Sequence, residues 1–542
     1  LQNDHERAFD FHQSIRLGSI LPVIELRMHM DELRDMLVAA GGVAQLAAPA
    51  ALALGAVVAG NSRIPAESSW RAGRAAVACA LLLATISWVA SIVTFRDLHE
   101  FAGPTVALLI SLLGVVIVRF AQRYLSGEER QGRFVQRLLS TIAASSLVAV
   151  ADHLALVFGA WLLTSLSIQQ LLLHYPERVA AQAAAHKKFL CSRAADLCLA
   201  GALVLLYQAH GTLSIAELRA IVESSAMRTG AGHGAAALIA AAVMLRAAQM
   251  PFHGWLMQVM EAPTPVSALL HAGVVNLGGL VLVRMGDVVV GSVWAQSMLV
   301  VAGAITAALA ALVAATRVTV KVALAWSTCA QMGFMTLECG LGLHGAALLH
   351  LVAHSLYKAH AFLRASSYVQ RSLVKKMAEP ERGISAQGLF AGCVLSALVV
   401  FGGFAALGLR WNQDPGLMAM ACVLTLALAR AVAVADGASL ALPAVTVCVW
   451  AGLHSLFEGV TAHRGAHGPH EWILAAFVAC AFLALFLVRA AVELRPEGSL
   501  ARRLQAACFA GFYVDEWFSR LVLRVWPVRI QDRRDPLLGN IQ

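Results

Sequence analysis

Long apolar stretches separated by short polar clusters run along nearly the whole chain. They lie near residues 37–60, 75–95, 104–121, 138–151, 154–173, 188–207, 235–258, 264–285, 293–315, 322–343, 345–368, 387–408, 416–435, 439–457 and 472–492. A helix needs roughly twenty apolar residues to cross bilayer hydrocarbon. The pattern therefore predicts an all-α polytopic membrane protein with about 14–15 transmembrane helices. Residues 1–36 are different: Asp4, Glu6, Arg7, Asp10 and Arg16 exclude a span there, and no secretory pattern opens the chain. They read as a polar N-terminal extension, either a surface helix or a segment without function.

The stretch from Ala235 to Met285 breaks the apolar rhythm. An apolar helix carries one arginine, Arg246, and meets Pro251; the chain resumes through Trp255, turns at Pro263 and Pro265, and re-enters an apolar phase with His271 inside it. Proline removes a donor and clashes with the carbonyl four residues back, so a break is expected at Pro251. Inside a membrane, broken backbone is tolerated only where it is buried in protein or lines a hydrated cavity. A broken helix with a cation beside it is a common way to build an ion site.

Composition supports the membrane class: 59% of residues are hydrophobic and 13% charged, and mean hydropathy is +0.71, unlike a soluble domain. The net charge of +9 is no argument for nucleic acid, because Lys and Arg of membrane proteins collect in cytoplasmic loops. Loops after odd-numbered spans hold about seventeen Lys and Arg, among them Arg119, Arg123, Arg130, Arg133, Arg137, Lys187, Lys188, Arg371, Lys375 and Lys376, against about five after even ones. This places the N-terminus of the first span outside, and the tail with Arg502, Arg503, Arg520, Arg524 and Arg533 inside. The ten cysteines form no CxxC pair and read as small hydrophobes. His463, His467 and His470 have a spacing that a metal can use, but Pro469 interrupts them and no second cluster accompanies them; the expectation is no metal and no cofactor in this chain.

Ionised groups at mid-membrane are costly and so suggest function. His350, His354 and Lys358 are spaced four and four, on one helix stripe. Imidazole accepts and donates protons near neutral pH, and the ladder favours a hydrophilic path over helix-to-helix hydrogen bonding alone. Lys321, at the start of span ten, has the reach to snorkel to the surface. Glu338 is deep in the same span but near its end. Asp196 follows Arg193 by three residues, at the spacing of a local pair. Arg246 beside the break cannot readily deprotonate, and its charge needs a carrier or partner, with His271 and Asp196 as candidates.

The stretches AAQMPFHGWL…APTPVSALLHA, KVALAWSTCAQMGFM and HLVAHSLYKAHAFL, with KKFLCSRAADLCL and RYLSGEERQGRF, resemble the antiporter-like subunits of respiratory complex I (NuoL type) and of multisubunit cation/proton antiporters. The resemblance covers about residues 105–370 and implies two inverted five-helix repeats with broken helices. It divides the chain into a polar extension (1–36), N-terminal helices (37–121), repeat one (138–285), repeat two (293–435), C-terminal helices (439–492) and a cytoplasmic tail (493–542). It also implies a polar axis through His271, Lys321, His350, His354 and Lys358. Two departures stand out: Leu162 follows Trp161 where the family has a glutamate, and Arg246 takes a lysine position. A further lysine expected near Gly408 is missing, and the complex I lateral helix has no room after span fifteen. The segments SLSIQQLLLHYPER, MEAPTPVSALLHAG and GFYVDEWFSRLVLRVWP are similar to one branch, the membrane subunits of DAB inorganic-carbon accumulation complexes. That resemblance implies a large cytoplasmic, zinc-containing, carbonic-anhydrase-like partner (DabA type), with proton or sodium flow coupled to CO2-to-bicarbonate conversion in a bacterial inner membrane. The chain itself is then a transport subunit with no catalytic residues. Two alternatives stay open: a proton-pumping subunit of complex I or of a cation/proton antiporter, and a non-conducting scaffold for the partner.

Overall fold

A computed structural model describes residues 32–94, 98–223, 230–365, 385–434, 441–458 and 468–528. Residues 1–31 and the sequence-singled Arg371, Lys375, Lys376, His463, His467 and Arg533 lie outside the described residues. Among the described residues, each expected span coincides with helix, the one at 235–258 being interrupted. The N-terminal helices are α1 (Glu32–Ala59), α2 (Ala66–Val93) and α3 (Leu98–Tyr124). Next come α4 (Gln131–Val150), α5 (Leu154–Leu172), α6 (Val179–His210) and the short α7 (Ile215–Glu223). The interrupted region holds α8 (Gly230–Arg246), α9 (Gly254–Gln258), α10 (Thr264–Leu269), a π-helical turn at Leu270–Val274, α11 (Leu277–Arg284) and α12 (Gly286–Val290). Then follow α13 (Val293–Ala314), α14 (Val320–Gly340) and α15 (His344–Leu363), and after them α16 (Ala386–Ala406), α17 (Pro415–Ala433), α18 (Ala441–Glu458) and α19 (Pro469–Leu494). Two tail helices, α20 (Ser499–Phe509) and α21 (Val514–Val525), end the described chain.

Among the described residues, ten helical stretches, one of them the α10–α11 run Thr264–Arg284, are long and apolar enough to cross a membrane, so the protein is a multi-pass membrane protein. The remaining expected spans are α4, α8, α14, α15 and α18; α8 is only 17 residues long, and α14 and α15 carry the buried ionisable groups. Lipid offers no hydrophobic drive between helices, so close approach depends on small residues. At the α13–α14 crossing a Cβ on Gly303 would lie 2.6 Å from the Gly333 carbonyl oxygen, and one on Gly333 would lie 2.6 Å from the Ala307 nitrogen. The two backbones touch there because neither residue has a side chain.

The segment Thr264–Arg284 is buried throughout, packed between α3, α14 and α15. Its irregular backbone is therefore enclosed by protein, as the bilayer requires. The break differs from the expectation in position: α8 stops at Arg246, five residues before Pro251. Ala248 has φ +52°, and the residue ahead of a proline is itself biased away from helix, so the interruption spreads upstream. Pro263 caps α10 and Pro265 sits in its first turn. Span twelve, α16, runs unbroken, and Gly408 lies past its end with φ +73°.

Among the described residues, the connections after spans three, five and seven meet at one end of the bundle. The Tyr175 hydroxyl donates to Glu128 at 2.7 Å, and Arg178 reaches Glu261 at 3.8 Å. Burial and the Glu128 carboxylate push the Tyr175 phenol above its usual range. The tail joins the same end through Arg317, whose guanidinium donates to the Cys508 carbonyl at 2.7 Å. At the other end, Arg284 of α11 and Asp152, just after α4, are 3.6 Å apart.

Candidate functional site

Two polar clusters lie within the apolar bundle. The first surrounds the end of α8. Arg246 is 5% exposed, and its guanidinium lies over the Trp161 ring at 4.2 Å while donating to the Trp161 carbonyl at 2.9 Å. Its charge faces Asp196 at 3.8 Å, and Asp196 in turn holds Arg193 at 2.7 Å. The Asp196–Arg193 pair expected from sequence is therefore present and shared with Arg246. Of the two candidate partners, Asp196 meets the arginine and His271 belongs to the second cluster. The carboxylate that faces Arg246 comes from α6, and Leu162 on α5 supplies none.

Lys187 and Lys188, counted above among loop charges, lie within α6 and are 1% and 4% exposed. α6 begins eight residues ahead of Lys187, which carries both lysines inside the bundle. Lys188 donates to the Ser165 carbonyl at 2.6 Å and to its hydroxyl at 3.1 Å. Arg193 donates to the same hydroxyl at 3.1 Å, so Ser165 joins Lys188 to the Arg193–Asp196–Arg246 group. Every charge here is held in place, and burying such charges unpaired would cost several kcal/mol.

The second cluster runs along α14 and α15. Glu338, 2% exposed, lies 2.8 Å from His350 Nδ1, and the other ring nitrogen is 2.6 Å from Gln331 Oε1. One turn on, the His354 ring centroid is 6.1 Å from that of His350, and His354 Nε2 is 3.3 Å from the His271 carbonyl oxygen. A further turn on, Lys358 is fully buried and donates to the Leu324 carbonyl at 3.1 Å and to Ser327 Oγ at 2.8 Å. The three ladder residues thus share one stripe, as their spacing predicts. His271 sits in the π-helical turn, stacked on Phe362 at 4.4 Å, and neither ring nitrogen has a hydrogen-bond partner among the described residues. π-Turns inside helices are frequent at functional sites because they free backbone and side-chain groups from the regular ladder. Lys321 is half-buried and donates to Thr264 Oγ1 at 2.9 Å. Thr264 and Lys321 line an open vestibule of about 610 Å³ with Phe362 on its wall.

Sequence reasoning missed three contributors: Ser165, Gln331 and the tail residue Asp515, which pairs with Lys187 at 2.7 Å. A serine or glutamine in a span carries no costly charge and gives no sequence signal. Asp515 was visible as an acid in the amphipathic tail, without any sign of where it docks.

Known proteins resemble this chain in sequence and in fold. Residues 151–429 match the family model described as NADH:quinone oxidoreductase/Mrp antiporter, TM. A Hydrogenovibrio crunogenus protein named probable inorganic carbon transporter subunit DabB is 39% identical over 443 residues, covering 79% of this chain and 83% of its own length. A Halothiobacillus neapolitanus protein named probable inorganic carbon transporter subunit DabB2 is 38% identical over 441 residues, covering 78% and 79%. Among solved structures, the Mrp complex from Dietzia sp. DQ12-45-1b shares the fold with a TM-score of 0.54 at 21% identity, over 93% of this chain and 61% of that one. The chain belongs to the antiporter-like membrane-subunit family of NADH:quinone oxidoreductases and Mrp antiporters, in its DabB branch.

Proposed function

We propose that this chain conducts protons (or sodium ions) through the α14–α15 axis, coupling their inward flow to CO2-to-bicarbonate conversion by a cytoplasmic, zinc-containing, carbonic-anhydrase-like partner. The observation that carries the reading is the run Glu338–His350–His354–Lys358 beside His271, with its hydrogen bonds buried or half-buried except for the exposed His350–Gln331 contact. Neutral imidazole takes a proton on one nitrogen while releasing one from the other, so His350 and His354 can pass a proton between Glu338 and the Lys358 region. A buried lysine can release its proton where an arginine practically cannot. Lys358 is therefore the group whose charge switches, and Arg246, fixed by Asp196 and Trp161, supplies a constant field in the first half of the protein. The zinc of the partner would supply hydration chemistry outside this chain. In this reading the chain lies in a bacterial inner membrane, with the first span's N-terminus outside and the odd connections and tail cytoplasmic, following their positive charge.

The test is His354→Ala in the intact complex, with partner co-purification, metal analysis and inorganic-carbon uptake measured together. The expected result is an assembled, zinc-containing complex without uptake. Normal uptake in the assembled variant would reduce the ladder to packing. CO2 conversion by the parent complex that persists unchanged after the ion gradient is collapsed would refute coupling and favour a scaffold.

A further inference from the structure

Lys187 is almost wholly buried, and its counter-ion comes from the far end of the chain: Nζ lies 2.7 Å from Asp515 Oδ2 on α21. Ser519, one turn further on, donates to the same oxygen at 3.0 Å. The carboxylate reaches this position because residue 254 has no side chain; a Cβ on Gly254 would overlap it. Asp515 thus lies against the broken helix, beside its neighbour His253. That histidine is fully buried; one ring nitrogen faces the Pro251 carbonyl, and the other has no hydrogen-bond partner among the described residues. The second carboxylate oxygen, Oδ1, is likewise buried without a donor among them. The Asp515 side chain as a whole is nevertheless 30% exposed, so one group touches both water and the interior of the break. The titratable groups around it are Lys187 and Cys191 from α6 and His253 from the break.

The tail is firmly seated. The Trp526 ring stacks on His186 at 4.0 Å, and Phe518 meets Phe252 edge-on at 5.4 Å. A seat of this kind needs only apolar contact; it does not need a carboxylate aimed at a buried imidazole.

We infer that Asp515 and His253 form a proton outlet from the broken helix, which makes the C-terminal tail a working part of the conduction path. This rests on the conduction reading above and adds a second station to it. A proton arriving from the interior binds the free nitrogen of neutral His253. The imidazolium gives one proton to the Asp515 carboxylate and returns to neutral, and the carboxyl, its charge cancelled, loosens from Lys187. The acid then releases that proton to cytoplasmic water, and the regenerated carboxylate pairs with Lys187 again; only O–H and N–H bonds form and break.

The test measures proton efflux from inverted membrane vesicles containing the full complex, with an acid lumen and a trapped pH-sensitive dye. Asp515→Asn fits the same space and still accepts from Lys187, and His253→Gln keeps size and polarity; neither replacement carries a proton. Each should cut efflux by about a hundred-fold, the scale of losing a positioned acid or base. Trypsin protection at Arg520 and Arg524 reports whether the tail stays seated. Parental efflux in Asp515→Asn with a protected tail overturns the outlet. Where Asp515→Asn releases the tail, His253→Gln decides: lost efflux supports the outlet and parental efflux overturns it. His354→Ala separates the two readings. If it stops efflux while both outlet variants conduct normally, the outlet fails and the axis stands; a parent complex that does not conduct overturns both.

Discussion

Replacing Arg246 tests whether a permanent charge at the break holds the first half of the protein together. In Arg246→Ala three interactions are lost. The hydrogen bond to the Trp161 carbonyl, from a charged donor, contributes about 1.5–3 kcal/mol. The contact with the Trp161 ring contributes about 0.5–2 kcal/mol. Removing one member of a buried ion pair typically costs about 3–5 kcal/mol, but here the loss is smaller because Arg193 still holds Asp196 at 2.7 Å. These contributions overlap, and a net destabilisation of about 3 kcal/mol is expected, roughly a hundred-fold in the folded-to-unfolded ratio. Arg246→Lys keeps the charge but loses the flat guanidinium that covers the ring and donates sideways; about 1 kcal/mol is expected, with assembly preserved and the pH profile of uptake altered. Asp196→Asn should cost about as much as the alanine variant. The double variant should cost less than the sum of the two by about 1–2 kcal/mol, the signature of direct coupling. The measurements are denaturant unfolding of the purified complex in detergent and uptake across pH in membranes with matched protein levels. Parental stability and uptake in both Arg246 variants, or strictly additive energies with Asp196→Asn, would refute the electrostatic role.

Lys358→Met should assemble normally, because the hydrogen-bond partners of Lys358, the Leu324 carbonyl and Ser327 Oγ, are neutral and no buried charge is left unpaired, while uptake is lost; retained uptake would remove Lys358 as the switching charge. Glu338→Gln, which preserves a hydrogen bond to His350, should lower proton flux by about a hundred-fold, as for loss of an acid–base group, without changing thermal unfolding. Gly303→Val drives a side chain into the α14 backbone and should destabilise by about 1–3 kcal/mol, read by denaturant unfolding. The chain purified without its partner should hold no stoichiometric zinc and hydrate no CO2, checked by metal analysis and a CO2-hydration assay; bound zinc lost on changing His463, His467 and His470 would contradict this.

The fifteen apolar segments, the interruption near Pro251 and the His350–His354–Lys358 stripe were all legible in the chain. Each depends on local physics: the length that hydrocarbon demands, the donor that proline lacks, and the 3.6-residue period that stacks positions four apart. Even the Arg193–Asp196 pair follows from a spacing of three. The tertiary structure decided which distant groups compensate these charges. Arg246 finds its carbonyl 85 residues away on α5, and its carboxylate on α6 rather than at Leu162 or by way of His271. Lys187 is neutralised by a tail residue 328 positions later, in a space that exists because residue 254 is glycine. Hydropathy describes each helix separately, whereas the cost of a buried charge is set by whatever the other helices place beside it, and that depends on how the bundle closes.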